Sequence, residues 1–171
     1  TTYFLQGLKY NPSNFLQTTF VAGNNHRGNM FDISANTDLV ISAFDVSPMG
    51  NTTIAVYYKK GTYVGFDKNS SAWTLLGTVP VTFNGSPVTV SVDDLYVKSG
   101  ESFGIYITST DTNVALNYSN GSNSYNNADL LINLGIGLEY PFGTIYNDRT
   151  WNGRIHYKTV VPLLGRQAID V

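Results

Sequence analysis

"SPVTVSV", residues 86–92, carries the cleanest two-residue period in the chain: Val88, Val90 and Val92 alternate with Thr89 and Ser91. Successive side chains of a β-strand point to opposite faces, so this pattern predicts a strand with one apolar and one wet face. The same period recurs on both sides. "LVISAFDV" (39–46) puts Val40, Phe44 and Val46 on one face, and "TIAVYYKK" (53–60) sets Ile54, Val56 and Tyr58 against Ala55, Tyr57 and Lys59. "AWTLLGTVPVTF" (72–83) is apolar but interrupted by Gly77 and Pro80, which suits an edge strand or a bulge. Further strands are predicted within 95–110, 113–119, 128–134 and 150–159. "VSPMGN", "FNGSP", "NGSNSYNN" and "GIGLEYPFG" read as the turns between them. No segment sustains a 3.6-residue apolar period, so no long helix is expected.

About eight such strands in 171 residues predict a single all-β domain, a two-sheet β-sandwich with jelly-roll winding. The sandwich spans residues 19–158, with extended apolar tails at 1–18 and 159–171. Phe44, Val56, Trp73, Val90, Ile105, Leu116, Ile132 and Trp151 are the expected core between the sheets.

Composition narrows the function. Charged residues make up only 13%, about half the usual share of roughly 25%, and the net charge is −2. A basic stripe for a phosphate backbone is missing, so nucleic acid is not an expected partner. Cysteine is absent, which removes thiolate chemistry and disulfides. No run of eighteen apolar residues is present, and no transmembrane helix is expected. Low charge with abundant Asn, Ser, Thr and Tyr fits an extracellular or cell-surface protein. Asn51, Asn69, Asn84, Asn117 and Asn120 open N-x-[ST] triplets.

The densest group of chemically capable side chains is "DRTWNGRIHYKT" (148–159). Read as one strand, it turns Trp151, Ile155 and Tyr157 inward, with Gly153 leaving room for a bulky neighbour. Asn152, Arg154, His156 and Lys158 then form an outward row, a hydrogen-bonding surface with no carboxylate of its own to orient the histidine. Catalytic patterns are thin. There is no G-x-S-x-G elbow, and no H-x-H or H-E-x-x-H spacing. The two glutamates, Glu101 and Glu139, do not suggest a carboxylate pair across a cleft. The expectation is therefore no enzyme, no catalytic residues, no metal site and no cofactor. The oxygen-rich stretches "VDD" (92–94), "DTN" (111–113) and "NNAD" (126–129) could supply ligands for a structural Ca²⁺.

A carbohydrate site would need exposed rings among amides and carboxylates. Tyr63, Tyr125, Tyr140 and Tyr146 lie in Asn- and Asp-rich loops and are the candidates, joined by Asn152, Arg154 and His156. The competing reading has these loop tyrosines half-buried, each ring packed and its hydroxyl wet.

In chain order, "GNMFDI", "ISAFDV", "VYYKKGTYVGF", "AWTLLGT", "VKSGESFGIYITST", "LNYSNGS", "LGIGLEYPFG" and "RTWNGRIHY" resemble an uncharacterised β-sandwich module of secreted bacterial surface proteins. The resemblance covers roughly residues 19–158. It implies an exported, non-enzymatic surface module with no assigned catalytic residues.

Both tails lie outside those motifs. Tyr3, Phe4, Leu5, Leu8, Val160, Leu163, Leu164 and Ile169 would be costly to leave in water. They are expected to pack on the chain's own domain as extra edge strands or on a neighbouring copy. The resulting expectation is a structural or adhesive extracellular subunit, self-associating into a filament or surface layer or binding other extracellular proteins. A carbohydrate-binding module, with glycans as partners, is the alternative, and an enzyme of unknown class the third reading.

Overall fold

The computed structural model describes the backbone of residues 3–5, 8–121, 123–162 and 167–169. In chain order the strands are β1 (Tyr3–Leu5), β2 (Leu8–Tyr10), β3 (Asn14–Gln17), β4 (Asn24–His26), β5 (Gly28–Ala35), β6 (Leu39–Val46), β7 (Thr52–Lys60) and β8 (Thr74–Val81). They continue as β9 (Val88–Val97), β10 (Ser102–Ser109), β11 (Leu116–Asn120), β12 (Tyr125–Asn126), β13 (Leu130–Leu138), β14 (Ile145–Trp151), β15 (Arg154–Pro162) and β16 (Gln167–Ile169). The larger sheet runs β4-β11-β14-β13-β5-β10-β7-β8, with β12 beside β13. The smaller runs β2-β15-β6-β9, with β3 also on β15. Among the described residues the helical structure is one short 3-10 turn, Ser70–Ala72.

The protein is an all-β two-sheet sandwich. Its winding follows from two ladders: β5 pairs antiparallel with β10 in one sheet, while the next strand, β6, pairs antiparallel with β9 in the other. A ribbon of consecutive strands folded across a core in this way is jelly-roll winding.

The main core fills the space between the sheets. Phe31 from β5, Trp151 from β14 and Phe44 from β6 meet at its centre. Trp151 stacks on Phe31 at 4.7 Å and meets Phe44 edge-on at 6.2 Å, so one indole bridges both sheets. Seven of the eight expected core residues lie in this cluster; Trp73 does not. Its ring is buried on the far side of the larger sheet, with Met30, Tyr106, Ile136 and Leu138. The row Tyr57, Tyr106, Met30 and Ile136 crosses four adjacent strands on that outer face. The loop from Gly61 to Trp73 folds over it as a lid, with Trp73 Nε1 donating to the Phe66 carbonyl at 2.9 Å.

The structure corrects the strand reading in three places. The stretch 150–159 is two strands, not one: β14 ends at Trp151 in the larger sheet, and β15 begins at Arg154 in the smaller. Gly153 makes the crossover possible, because a Cβ there would run into the Trp151 ring and sit 2.5 Å from the Asp45 carbonyl oxygen. The bulky neighbour expected at Gly153 is thus Trp151 itself. In β6 a register shift between Ile41 and Ala43 resets the alternation. Leu39 and Ile41 therefore join Phe44 and Val46 in the core, and Val40 lies on the outer face. Finally, β13 continues to Leu138 through residues read as a turn-rich link.

Of the tail residues, Leu163 and Leu164 lie outside the described residues, as do the side chains of Tyr3, Phe4, Leu5, Leu8 and Ile169. The backbones of β1 and β16 pair with each other, Tyr3 opposite Ile169. Segment 8–17 pairs with β15 of its own chain: β3 alongside residues 154–157 and β2 alongside residues 160–162. Val160 is buried within this arrangement.

Candidate functional site

The seam where segment 8–17 meets β15 carries the densest polar chemistry. On β15, Arg154, His156 and Lys158 face outward, as alternation predicts. The row does have a carboxylate, supplied by the neighbouring strand. In β6, Phe44 and Val46 point into the core and Asp45 points out, directly opposite Arg154 in the ladder. His156 Nε2 lies 2.9 Å from Asp45 Oδ1, and Arg154 Nη1 3.4 Å from Oδ2. Thr89 of β9, on the other flank of Asp45, donates its hydroxyl to Oδ1 at 2.7 Å. The Asp45 side chain is only 10% exposed, and a carboxylate so buried is stable only with partners of this kind. The expectation of an unoriented histidine was wrong because sequence alone does not place Asp45 next to a residue 111 positions away. The outward phase of Asp45 in "AFDV" was the available signal.

Strand β3 completes the cluster. Arg154 donates from Nε and Nη2 to Gln17 Oε1 at 3.2 and 2.7 Å, and its guanidinium lies 4.4 Å from the Phe15 ring centre. The Phe15 ring also tilts against His156. An aspartate-held imidazole activates a nucleophile when its second nitrogen reaches a hydroxyl or thiol. Among the described residues His156 has no such bond, and the Thr89 hydroxyl is spent on the carboxylate. What the arrangement does is clasp four strands, β3, β15, β6 and β9.

A second clasp lies on the inner side of the seam. Tyr157 donates its hydroxyl to Asp129 Oδ2 at 3.0 Å and accepts from Asn127 at 2.8 Å and Asn14 at 3.1 Å. Burial, with the Asp129 charge adding to it, pushes the Tyr157 phenol up to about 12. Asn14 also reaches Asp129 Oδ2, and Thr37 donates to Oδ1 at 3.3 Å. The stretch "NNAD", considered for calcium, therefore spends its carboxylate on this network. Asp111 of "DTN" caps its own turn at the Asn113 amide, and Asp93 and Asp94 are exposed on β9. Among the described residues no three His, Cys, Asp or Glu side chains gather for a metal ion.

The four loop tyrosines do not converge. Tyr63 packs into the aromatic cluster on the outer face of the larger sheet, and Tyr140 lies beside Tyr57 there. Ile145 packs on the same cluster, so alternation along β14 turns Tyr146 to the opposite face, where its ring lies 4.4 Å from His26. Tyr125 packs against the main core. Asn152, expected to face outward beside Arg154 and His156, is 1% exposed. It sits in the crossover between β14 and β15, where its carboxamide ties loop 18–23 to β11. The Ala22 amide donates to Oδ1 at 2.8 Å, and Nδ2 donates to Ser119 Oγ at 3.0 Å. Of the five N-x-[ST] asparagines, Asn51, Asn69, Asn84 and Asn120 are exposed, while Asn117 is half-buried with its amide on Ser47.

No protein-family model matches this sequence, and a search of curated proteins finds no match.

Proposed function

We propose that this chain is a non-enzymatic extracellular structural or adhesive subunit that joins its neighbours through its N-terminal segment. The observation that carries the reading is how segment 8–17 is held. Across residues 9–17 a single side chain, Leu16, is buried. The attachment otherwise rests on the β15 ladder and on polar clasps at Asn14, Phe15, Gln17 and Asn11, whose amide donates to Thr159 Oγ1 at 2.7 Å. The next residue, Thr18, is pinned differently. Its hydroxyl donates to the Trp151 carbonyl at 2.6 Å and accepts from the Gly153 amide at 3.1 Å. Residues before Thr18 thus form an add-on strand, while Thr18 itself belongs to the crossover.

Such a strand exchanges between identical copies at little cost, since the neighbour's segment makes the same contacts on the same β15 edge. Repeated head to tail, the exchange propagates into a fibre. The composition and the resemblance to surface modules support an extracellular setting for it.

The test is sedimentation of the full chain across a hundredfold concentration range, beside a variant lacking residues 1–17. Concentration-dependent growth of the full chain, lost in a truncated variant that keeps its near-ultraviolet dichroism, is the expected result. A full chain that stays monomeric throughout overturns the proposal.

A further inference from the structure

A groove of about 360 Å³ lies between loop 19–23 and the end of β11, lined by Thr19, Val21, Ser119, Asn120, Asn123 and Tyr125 among others. Its size falls at the lower end of small-molecule sites, about 300–1,000 Å³. No charged side chain lines it.

The rim is built rather than incidental. Ala22, a residue with a Cβ, is held at φ 59°, and Gly23 and Gly121 sit at φ 99° and 107°. A non-glycine residue stays in that region only where its surroundings over-determine it. Here the determinant is the buried Asn152 carboxamide, which takes the Ala22 amide, while Ser119 Oγ donates to the Ala22 carbonyl at 3.1 Å. Strained backbone of this kind clusters at binding and catalytic sites.

The groups facing the groove are incompletely used. Asn120 Oδ1 accepts from Asn24 at 2.8 Å, which leaves its own amide donors for another partner. Thr19 Oγ1 accepts from the Val21 amide at 3.2 Å, and its hydroxyl proton remains to be donated. Among the described residues the Asn123 carboxamide and the Tyr125 hydroxyl make no hydrogen bond. The Tyr125 ring is steadied from behind by the main core, and Val21 stands 82% exposed on the rim. Below Tyr125 a narrow recess continues to Trp151 and Phe31.

Neutral amides and hydroxyls beside a fixed aromatic ring match a ligand with many hydroxyls, an apolar C–H face and no net charge. An anionic ligand finds no cation in the lining, and a cationic one no carboxylate. We propose that this groove binds a neutral saccharide, its ring face against Tyr125 and its hydroxyls on Asn120, Asn123 and Thr19, with Asn152 as the positioning residue. The groove draws nothing from segment 8–17, so the inference does not depend on strand exchange.

The experiment follows backbone amide shifts of the ¹⁵N-labelled full chain during titration to millimolar concentrations. The probes are cellobiose, xylobiose, mannobiose, lactose and di-N-acetylchitobiose, with digalacturonate and glucosamine dimers as charged controls. The expected result is saturable shifts with at least one neutral sugar, centred on residues 19–23 and 119–125. Asn123→Ala and Tyr125→Ala are expected to weaken binding at least tenfold, and Asn152→Ala to weaken it while collapsing the distinctive Ala22 amide shift. Because Tyr125 also touches the core, Asn123→Ala is the deciding variant. The proposal is overturned if no neutral sugar gives saturable shifts, if they centre elsewhere, if charged dimers bind equally well, or if Asn123→Ala leaves affinity unchanged.

Discussion

The two outer faces of the sandwich are finished in opposite ways. On the larger sheet, Tyr57, Trp73, Tyr106 and Phe142 pack ring against ring, and the Tyr106 and Phe142 ring centres lie 5.0 Å apart. The lid loop keeps that cluster dry. Even Lys59 is drawn in: its ammonium donates to the carbonyls of Lys60 and Thr62 at 2.9 and 2.7 Å and rests 4.1 Å over the Phe66 ring. On the smaller sheet, the outer face carries Asp45, His156, Arg154 and Thr89, and the chain's own N-terminal strand rests against them. The larger sheet closes its outer face with a private second core. The smaller leaves a polar seam, which an extra strand occupies. Burial of apolar area holds the first, and matched charge and hydrogen bonds hold the second. Their responses to substitution should therefore differ in size and kind.

Trp73→Ala strikes the second core and is expected to have the largest effect. Removing a buried indole costs about 3–5 kcal/mol, and with Trp73 8% exposed the lower end applies. The variant should also lose the lid, seen as new proteolytic cleavage within residues 61–72. A stability change within about 0.5 kcal/mol, the size of an ordinary surface substitution, would break the comparison by showing that the lid is not a core at all.

Asp45→Ala strikes the seam. It leaves the His156 imidazole, the Arg154 guanidinium and the Thr89 hydroxyl without their shared acceptor, a loss of about 1–3 kcal/mol by chemical denaturation. The sandwich should stay folded while segment 8–17 frays, exposing Phe15 to chymotrypsin. A loss larger than that of Trp73→Ala would reverse the ranking and make the clasp the dominant feature.

How far these features were legible in sequence depends on what kind of burial each involves. One-sided strands announce themselves: in β9 Val88, Val90 and Val92 turn to the core as their alternation predicts, and Gly77 and Pro80 fall in β8, an edge strand. Strand β5, Gly28–Ala35, shows no such signal, because Met30 enters the outer cluster and Phe31 and Ile33 the inner one. A strand buried on both faces loses its period and reads as an apolar run. Glycine misled at β13. There Gly135 looks like a turn residue, yet it lies where a Cβ would collide with the Met30 carbonyl oxygen. The seam and the groove were the least legible. The Asp45–His156 contact depends on ladder register. Asn152, expected on the outward row, is buried instead, in a crossover that only the placement of both sheets defines.

A third surface, the half-buried rim at β4, gives the smallest effect. His26 Nε2 lies 3.5 Å from Glu139 Oε1, with the Tyr146 ring against the imidazole. Two influences compete there. Burial disfavours the imidazolium and is the larger, with nearby Arg27 adding to it; the Leu138 carbonyl and the Glu139 carboxylate favour the charged form. The net result holds His26 below its usual 6.5. A group whose pKa is depressed by folding contributes stability that is present above its unfolded value and lost as pH falls through its folded value. Between pH 7.5 and 5, wild type should therefore lose more stability than His26→Gln, which cannot titrate. The gap between their melting temperatures, taken as wild type minus variant, is expected to narrow on acidification. Adding Glu139→Gln should deepen the wild-type loss, because it removes an opposing charge. If the gap instead widens as pH falls, the pair with Glu139 outweighs burial, and this rim behaves like the charged seam rather than the dry face.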